Sequence, residues 1–198
     1  MKRSKRQKKV SYFMEVRESL EDIEIAFRHL EFTIKLLSFC EFGNINPKDF
    51  DTHHIIMLDA GSLVFSTGQF GDTNSLIREA SIAVLLAFSA SVLALDKGFE
   101  VIGIKPDPEA SDNVSTLRTL VYMLRCAQAH GIADPHWEAR GKFARTITVD
   151  LDAGPPIPPL DLQALNGKRF HIDQLGGYQN WYRIREAANQ VFSTTIGA

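Results

Sequence analysis

Residues 13–37 read FMEVRESLEDIEIAFRHLEFTIKLL, and their spacing sets the expected fold. Phe13, Val16, Leu20, Ile23, Phe27, Leu30, Ile34 and Leu37 recur alternately three and four positions apart. A helix turns about 100° per residue, so this recurrence draws one apolar stripe down a single long helix. Four heptads of this kind also suit a coiled coil. Ile25, Phe32, Leu36 and Phe39 lie beside the stripe and widen it toward the face of a bundle helix. Gly43, Asn44 and Pro47 then end the helix.

Working outward, residues 53–67 hold two short apolar runs, 55–58 and 63–65, around Asp59-Ala60-Gly61, which suits a small hairpin. Asp72 is placed to cap a second helix running to about Lys97. From Ala80 to Leu95 this helix has no charge, and 16 residues are few for a bilayer span, which needs about 20, so it reads as the most buried core helix. Pro106 and Pro108 mark a loop. Asp112 caps a third helix over 114–130, with Gly131 expected in a left-handed conformation at its end. Residues 137–151 read as a hairpin bent at Arg140-Gly141-Lys142, 154–159 as a stiff proline-rich linker, and 168–172 as a further strand. The last helix, over 178–192, carries Trp181, Ile184, Ala188 and Val191 on one face. With no internal repeat, the expectation is a mainly α single domain over 11–198 with small β-hairpin appendages, preceded by a basic flexible arm over 1–10.

The chain has 198 residues, of which 44% are hydrophobic and 23% charged, as in ordinary globular domains. Its formal charge of -2 gives no overall pull toward nucleic acid, but Lys2, Arg3, Lys5, Arg6, Lys8 and Lys9 gather at one end. Such a block is either a solvated tail or a track for phosphates. The only cysteines, Cys40 and Cys126, fall in apolar helical segments and read as reduced thiols. The acids that follow the basic start leave no secretory pattern, and the expected setting is cytoplasmic, with no membrane contact.

The chemistry concentrates at the end of the third helix, in Leu124-Arg125-Cys126-Ala127-Gln128-Ala129-His130-Gly131. Histidine exchanges a proton near neutrality, and arginine offers phosphate a planar fork of donors. The negative end of the helix dipole favours a protonated His130, so the charge for an anion must come from Arg125. On a regular helix the two side chains diverge by roughly 140°. They meet on one ligand only if the last turn unwinds or a second subunit completes the site. Arg118, seven residues before Arg125, shares its face.

This segment resembles the R-x4-H motif of the HEPN superfamily, which also closes a helix in a helical bundle. The resemblance covers eight residues. It implies a HEPN-like bundle and a metal-independent endoribonuclease, a toxin or defence effector, with a composite site in a homodimer. In that reading Arg125 and His130 are catalytic, while Arg118, Lys5 and Arg6 hold RNA. An antitoxin or regulatory protein is the implied partner, and no cofactor is called for. The position after the arginine is usually Asn, Asp or His in the family, and here it is Cys126. The alternative is a non-catalytic HEPN-like module that binds a nucleotide or a protein.

Other signals carry less. His53-His54 offers two imidazoles without a third ligand at regular spacing, and reads as a loop or strand-edge pair. Trp137 and Trp181 read as core anchors before base-stacking platforms, and Gly176-Gly177 as a turn. If the basic arm contributes to RNA affinity, deleting residues 2–9 weakens binding to every RNA sequence and flattens its salt dependence, because fewer counterions are released. Binding titrations across a salt series check this, and an unchanged slope would leave the arm a solvated tail.

Overall fold

The computed structural model describes residues 5–109, 111–129, 131, 134–151, 154 and 157–197, with side chains from Tyr12 to Thr195 within those ranges. The protein is mainly helical. In chain order the elements are α1 (Lys5–Glu41), α2 (Pro47–Phe50), β1 (His54–Leu58), β2 (Gly61–Phe65), α3 (Thr73–Val101), α4 (Asn113–Ala129), β3 (Thr146–Ile147), β4 (Leu160–Asp161), α5 (Leu162–Leu165) and α6 (Tyr178–Gly197). They form two compact units, one from the chain up to Phe27 together with everything from Phe88 onward, the other from Arg28–Ala87.

The helix periods are expressed over most of each helix, although Phe13, the first residue of the α1 stripe, is exposed. Along α1, Val16, Ile23, Phe27 and Leu30 are buried, while Leu20, Ile34 and Leu37 are half-buried. The residues beside the stripe behave differently. Ile25, Phe32 and Phe39 are more than half exposed, because at seven-residue spacing they form their own row on the outer side of the helix. Asp72 caps α3 through the Ser75 amide at 3.0 Å and the Ser75 hydroxyl at 2.7 Å. Those bonds to its ionised form hold its carboxyl below the ordinary value. α3 runs past Lys97 to Val101, because Gly98 supports a close approach instead of ending the helix. A Cβ there would stand 2.9 Å from the Phe192 ring and 3.0 Å from Ile23 Cδ1. The helix closes one turn later at Gly103, whose φ is +79°, with Ile104 N–H donating to the Phe99 carbonyl.

By length and apolarity α3 could cross a membrane. Ala80, Val84, Ala87, Phe88, Val92, Leu95 and Phe99 are instead buried in protein, an arrangement compatible with a soluble domain.

In the larger unit the core gathers around Trp181. Its ring stacks on Phe27 at 5.6 Å and tilts against Phe88 at 5.1 Å, and its indole N–H donates to Ser91 Oγ at 2.9 Å. Ile184, Ala188 and Phe192 continue the same face of α6, with Phe192 buried where Val191 was expected. In the smaller unit Cys40, Leu76 and Ala80 form a cluster with Leu36, Leu37, Ile45, Phe70 and Ile77 around it. Asp51 Oδ2 accepts from the amides of Gly68 and Phe70, at 2.6 and 3.0 Å, and closes the segment that contains β1 and β2. These two strands are antiparallel, with His54 opposite Phe65 and Leu58 opposite Gly61. The expected hairpin is there.

The expected hairpin over 137–151 is not. Trp137 N–H donates to the Lys168 carbonyl at 2.9 Å, and Gly167 N–H to the Trp137 carbonyl at 2.8 Å, so the 137 segment pairs with distant chain. Gly141–Phe143 is a 3-10 turn, and β3 pairs with β4 across the proline-rich connection. Burying Trp137 decides this, because its indole N–H finds Gln174 Oε1 at 2.8 Å. The strand expected at 168–172 reduces to one bridge, His136 with Arg169, before a 3-10 turn at Ile172–Leu175. Gly176 follows at φ +81°, where a Cβ would lie 2.4 Å from Asn180 Nδ2, so the turn admits only glycine.

Trp181→Ala should cost about 3–5 kcal/mol, the usual range for emptying a buried aromatic site. In a chain of this size that lowers the melting temperature by roughly ten degrees. Trp181→Phe should cost less, because the ring contacts survive and Ser91 Oγ keeps the Phe88 carbonyl as acceptor. Thermal melts followed by circular dichroism decide it.

Candidate functional site

α4 is fixed at its start by Asp112, whose carboxylate accepts from Ser115 N–H at 2.9 Å. Bonds of this kind hold the Asp112 carboxyl below its ordinary value. One turn further, Thr119 Oγ1 donates to the carbonyls of Ser115 and Asp107 and accepts from Asp107 N–H. This ties the loop after α3 to the flank of α4. Leu117, Leu120, Val121 and Leu124 fill the buried face, which leaves Arg118, Tyr122 and Arg125 together on the neighbouring one.

Arg118 does not stand at the surface, and its expected role as an exposed RNA contact is corrected here. Only 2% of it is exposed. Its Nη1 meets Asp96 Oδ1 at 2.5 Å and its Nε donates to the Ile104 carbonyl at 3.0 Å. The guanidinium also lies over the rings of Phe99 and Tyr122, at 5.5 and 5.9 Å. A donor fork spent in this way cannot reach a phosphate without leaving Asp96 buried and unpaired.

Arg125 has the opposite setting. Its side chain is 46% exposed, and its nearest carboxylate is the other oxygen of Asp96, at 3.9 Å from Nε. Asp96 is therefore held tightly by one arginine and loosely by the next. Between them opens a cleft of about 340 Å³, lined by Asp96, Glu100, Lys105, Tyr122 and Arg125, with Arg118 behind. Three cations face two carboxylates there, and both exposed cations, Lys105 and Arg125, stand on its lining. The Tyr122 phenol is pushed above its ordinary value, first by its hydrogen bond with the Cys126 thiol, while Arg125 pulls it down.

His130 lies outside the described residues, as do the side chains of Lys5 and Arg6. α4 ends at Ala129. Gly131 does not have the positive φ expected of it. It sits in a turn where Asp134 N–H donates to its carbonyl at 3.1 Å, and a Cβ would come within 3.2 Å of the Asp134 oxygen. Gln128, inside the motif, is buried and accepts from Ser89 Oγ at 2.6 Å, which anchors the last turn of α4 to α3. His54 Nε2 lies 3.0 Å from Thr52 Oγ1. Among the described residues no three His, Cys, Asp or Glu side chains group closely enough to share a metal ion.

Sequence reasoning missed Asp96, Lys105 and Tyr122. A signal for the first was present: Asp96 is the first charge after a 16-residue uncharged run, and an acid there demands a partner. Compared with protein-family models, with curated proteins and with solved structures, the chain gives no match.

Arg118→Ala should destabilise the protein by about 3–5 kcal/mol, because it strands a buried carboxylate. Adding Asp96→Ala should recover part of that loss. Arg125→Ala, half-exposed with one long contact, should change stability by about 0.5 kcal/mol or less. Urea unfolding of the three variants gives the comparison, and an Arg118→Ala protein as stable as the parent would contradict it.

Proposed function

We propose that the protein is a metal-independent endoribonuclease of HEPN type, cytoplasmic, acting as a homodimer whose subunits complete one another's site, in the role of a toxin or defence effector. The observation that carries the reading is the presentation of Arg125. Arg118 absorbs most of the charge of Asp96, so the second guanidinium is left on a cleft of about 340 Å³ with Lys105 nearby. That volume lies in the usual range for small-ligand sites, and an RNA phosphodiester is the natural occupant for two exposed cations.

In the reaction, the 2′-hydroxyl of the substrate attacks the adjacent phosphorus and the 5′-oxygen of the next nucleotide leaves. His130 takes the proton from the attacking oxygen and delivers it to the leaving oxygen. Arg125 neutralises the charge that grows on the phosphoryl oxygens. Arg118 is a positioning residue in this scheme, since it acts through Asp96. An antitoxin or regulatory protein would be the partner that restrains the activity.

A second reading, a nucleotide- or protein-binding module without catalysis, draws on Cys126. Its thiol is engaged with Tyr122, where the family usually places a polar group. The two readings separate on one set of assays. His130→Ala should leave the melt within a few degrees of the parent and reduce RNA cleavage on the order of a hundredfold or more. Arg125→Ala should also abolish cleavage and weaken phosphate contact. Products should carry 2′,3′-cyclic phosphate ends, and cleavage should continue in EDTA. A parent protein that cleaves no RNA but still binds a nucleotide through Arg125 would establish the second reading.

A further inference from the structure

Among the described residues nothing covers the β1–β2 hairpin. All ten of its strand residues are exposed. Ile55, Ile56, Met57, Leu58, Leu63, Val64 and Phe65 show between 45% and 77% of their surface. The register puts Ile56, Leu58, Leu63 and Phe65 on one face and Ile55, Met57 and Val64 on the other, so both faces are apolar. An antiparallel pair with one face in water alternates apolar and polar residues, and this one does not. Two strands alone are marginal in water, whereas three or more with an apolar face are stable. Neither strand contains Lys, Arg, Asp, Glu or Pro, the residues that usually blunt an edge.

The free backbone edge selects the kind of partner. Open sheet edges do not enter hydrocarbon, because their N–H and C=O groups would go unsatisfied, so lipid is a poor occupant. A strand satisfies them. β2 begins at Gly61 with φ +144°, while β1 offers five consecutive residues without glycine or proline. Antiparallel pairing of β1 with a second β1 about a two-fold axis at Ile56 sets Ile55 opposite Met57 and His54 opposite Leu58. One step further out it sets His53 opposite Asp59, at both ends of the pair. This register is free of like charges and ends in two complementary contacts.

We infer that the hairpin is a self-association surface: β1 pairs antiparallel with β1 of a second copy, centred on Ile56, to give a four-stranded sheet. The inference stands independently of the reaction proposed above.

Sedimentation velocity on the full chain at tens of micromolar, a range where a stable dimer persists, should show a dimer. Ile56→Lys places two ammonium groups together at the axis and should lower the self-association seen for the parent, with an unchanged helical spectrum. His53→Asp puts like charges at both ends and should weaken the dimer about tenfold, with Asp59→His in the same chain restoring it. Ile56→Cys, a milder change, should give an interchain disulfide between the introduced thiols on gentle oxidation, located by mass spectrometry. A monomeric parent overturns the inference. So does a dimer that forms no such cross-link, and where the variants disagree the cross-link decides.

Discussion

A carboxylate placed inside apolar protein must find a cation, and Asp96 finds Arg118. An unpaired charge in that position costs several kcal/mol, so the pair leaves α4 few alternatives. The contact with Asp96 Oδ1, the second contact at the Ile104 carbonyl and the two aromatic rings set how α4 is turned about its own axis. That rotation sends Leu117, Leu120, Val121 and Leu124 inward and Arg125 outward. It also draws the loop after α3 against α4, where Thr119 and Asp107 fasten it. The cleft is a by-product of satisfying one buried acid.

The long helices were legible because their information is local. A 3.6-residue period and an Asp before each start are enough to place α3 and α4, and the caps at Asp72 and Asp112 are made as the sequence proposed. Ends were less legible. α3 continues past Lys97 through Gly98, where the ring of Phe192, almost a hundred residues later, takes the space a side chain would fill. The β segments failed for the same reason in stronger form. Residues 137–151 carry the pattern of a hairpin, yet Trp137 is claimed by Lys168 and Gln174, and a local pattern cannot report a distant claim.

The candidate site was legible in part. The motif located Arg125, and the structure presents that residue to solvent. Helical geometry placed Arg118 on the same face, correctly, and a shared face suggested a shared role. The roles diverge because Asp96 sits on another helix, within reach of both guanidinium groups but in tight contact with only one. Lys105 and Tyr122 had no sequence signal of their own, because a lysine just before a loop proline and a tyrosine in a helix are ordinary residues until a cleft forms around them.

The position of Trp181 in the chain bears on how the protein is made. Phe27 and Phe88 emerge from the ribosome long before the ring that joins them, and the Tyr182 hydroxyl reaches the Phe27 carbonyl across 155 residues. Until α6 is synthesised, the most apolar helix of the protein, α3, has no complete partner. Contacts this distant are slow to form, and a nascent chain waiting for them exposes apolar surface. Holding chaperones should therefore matter most during the interval between the synthesis of α3 and that of α6.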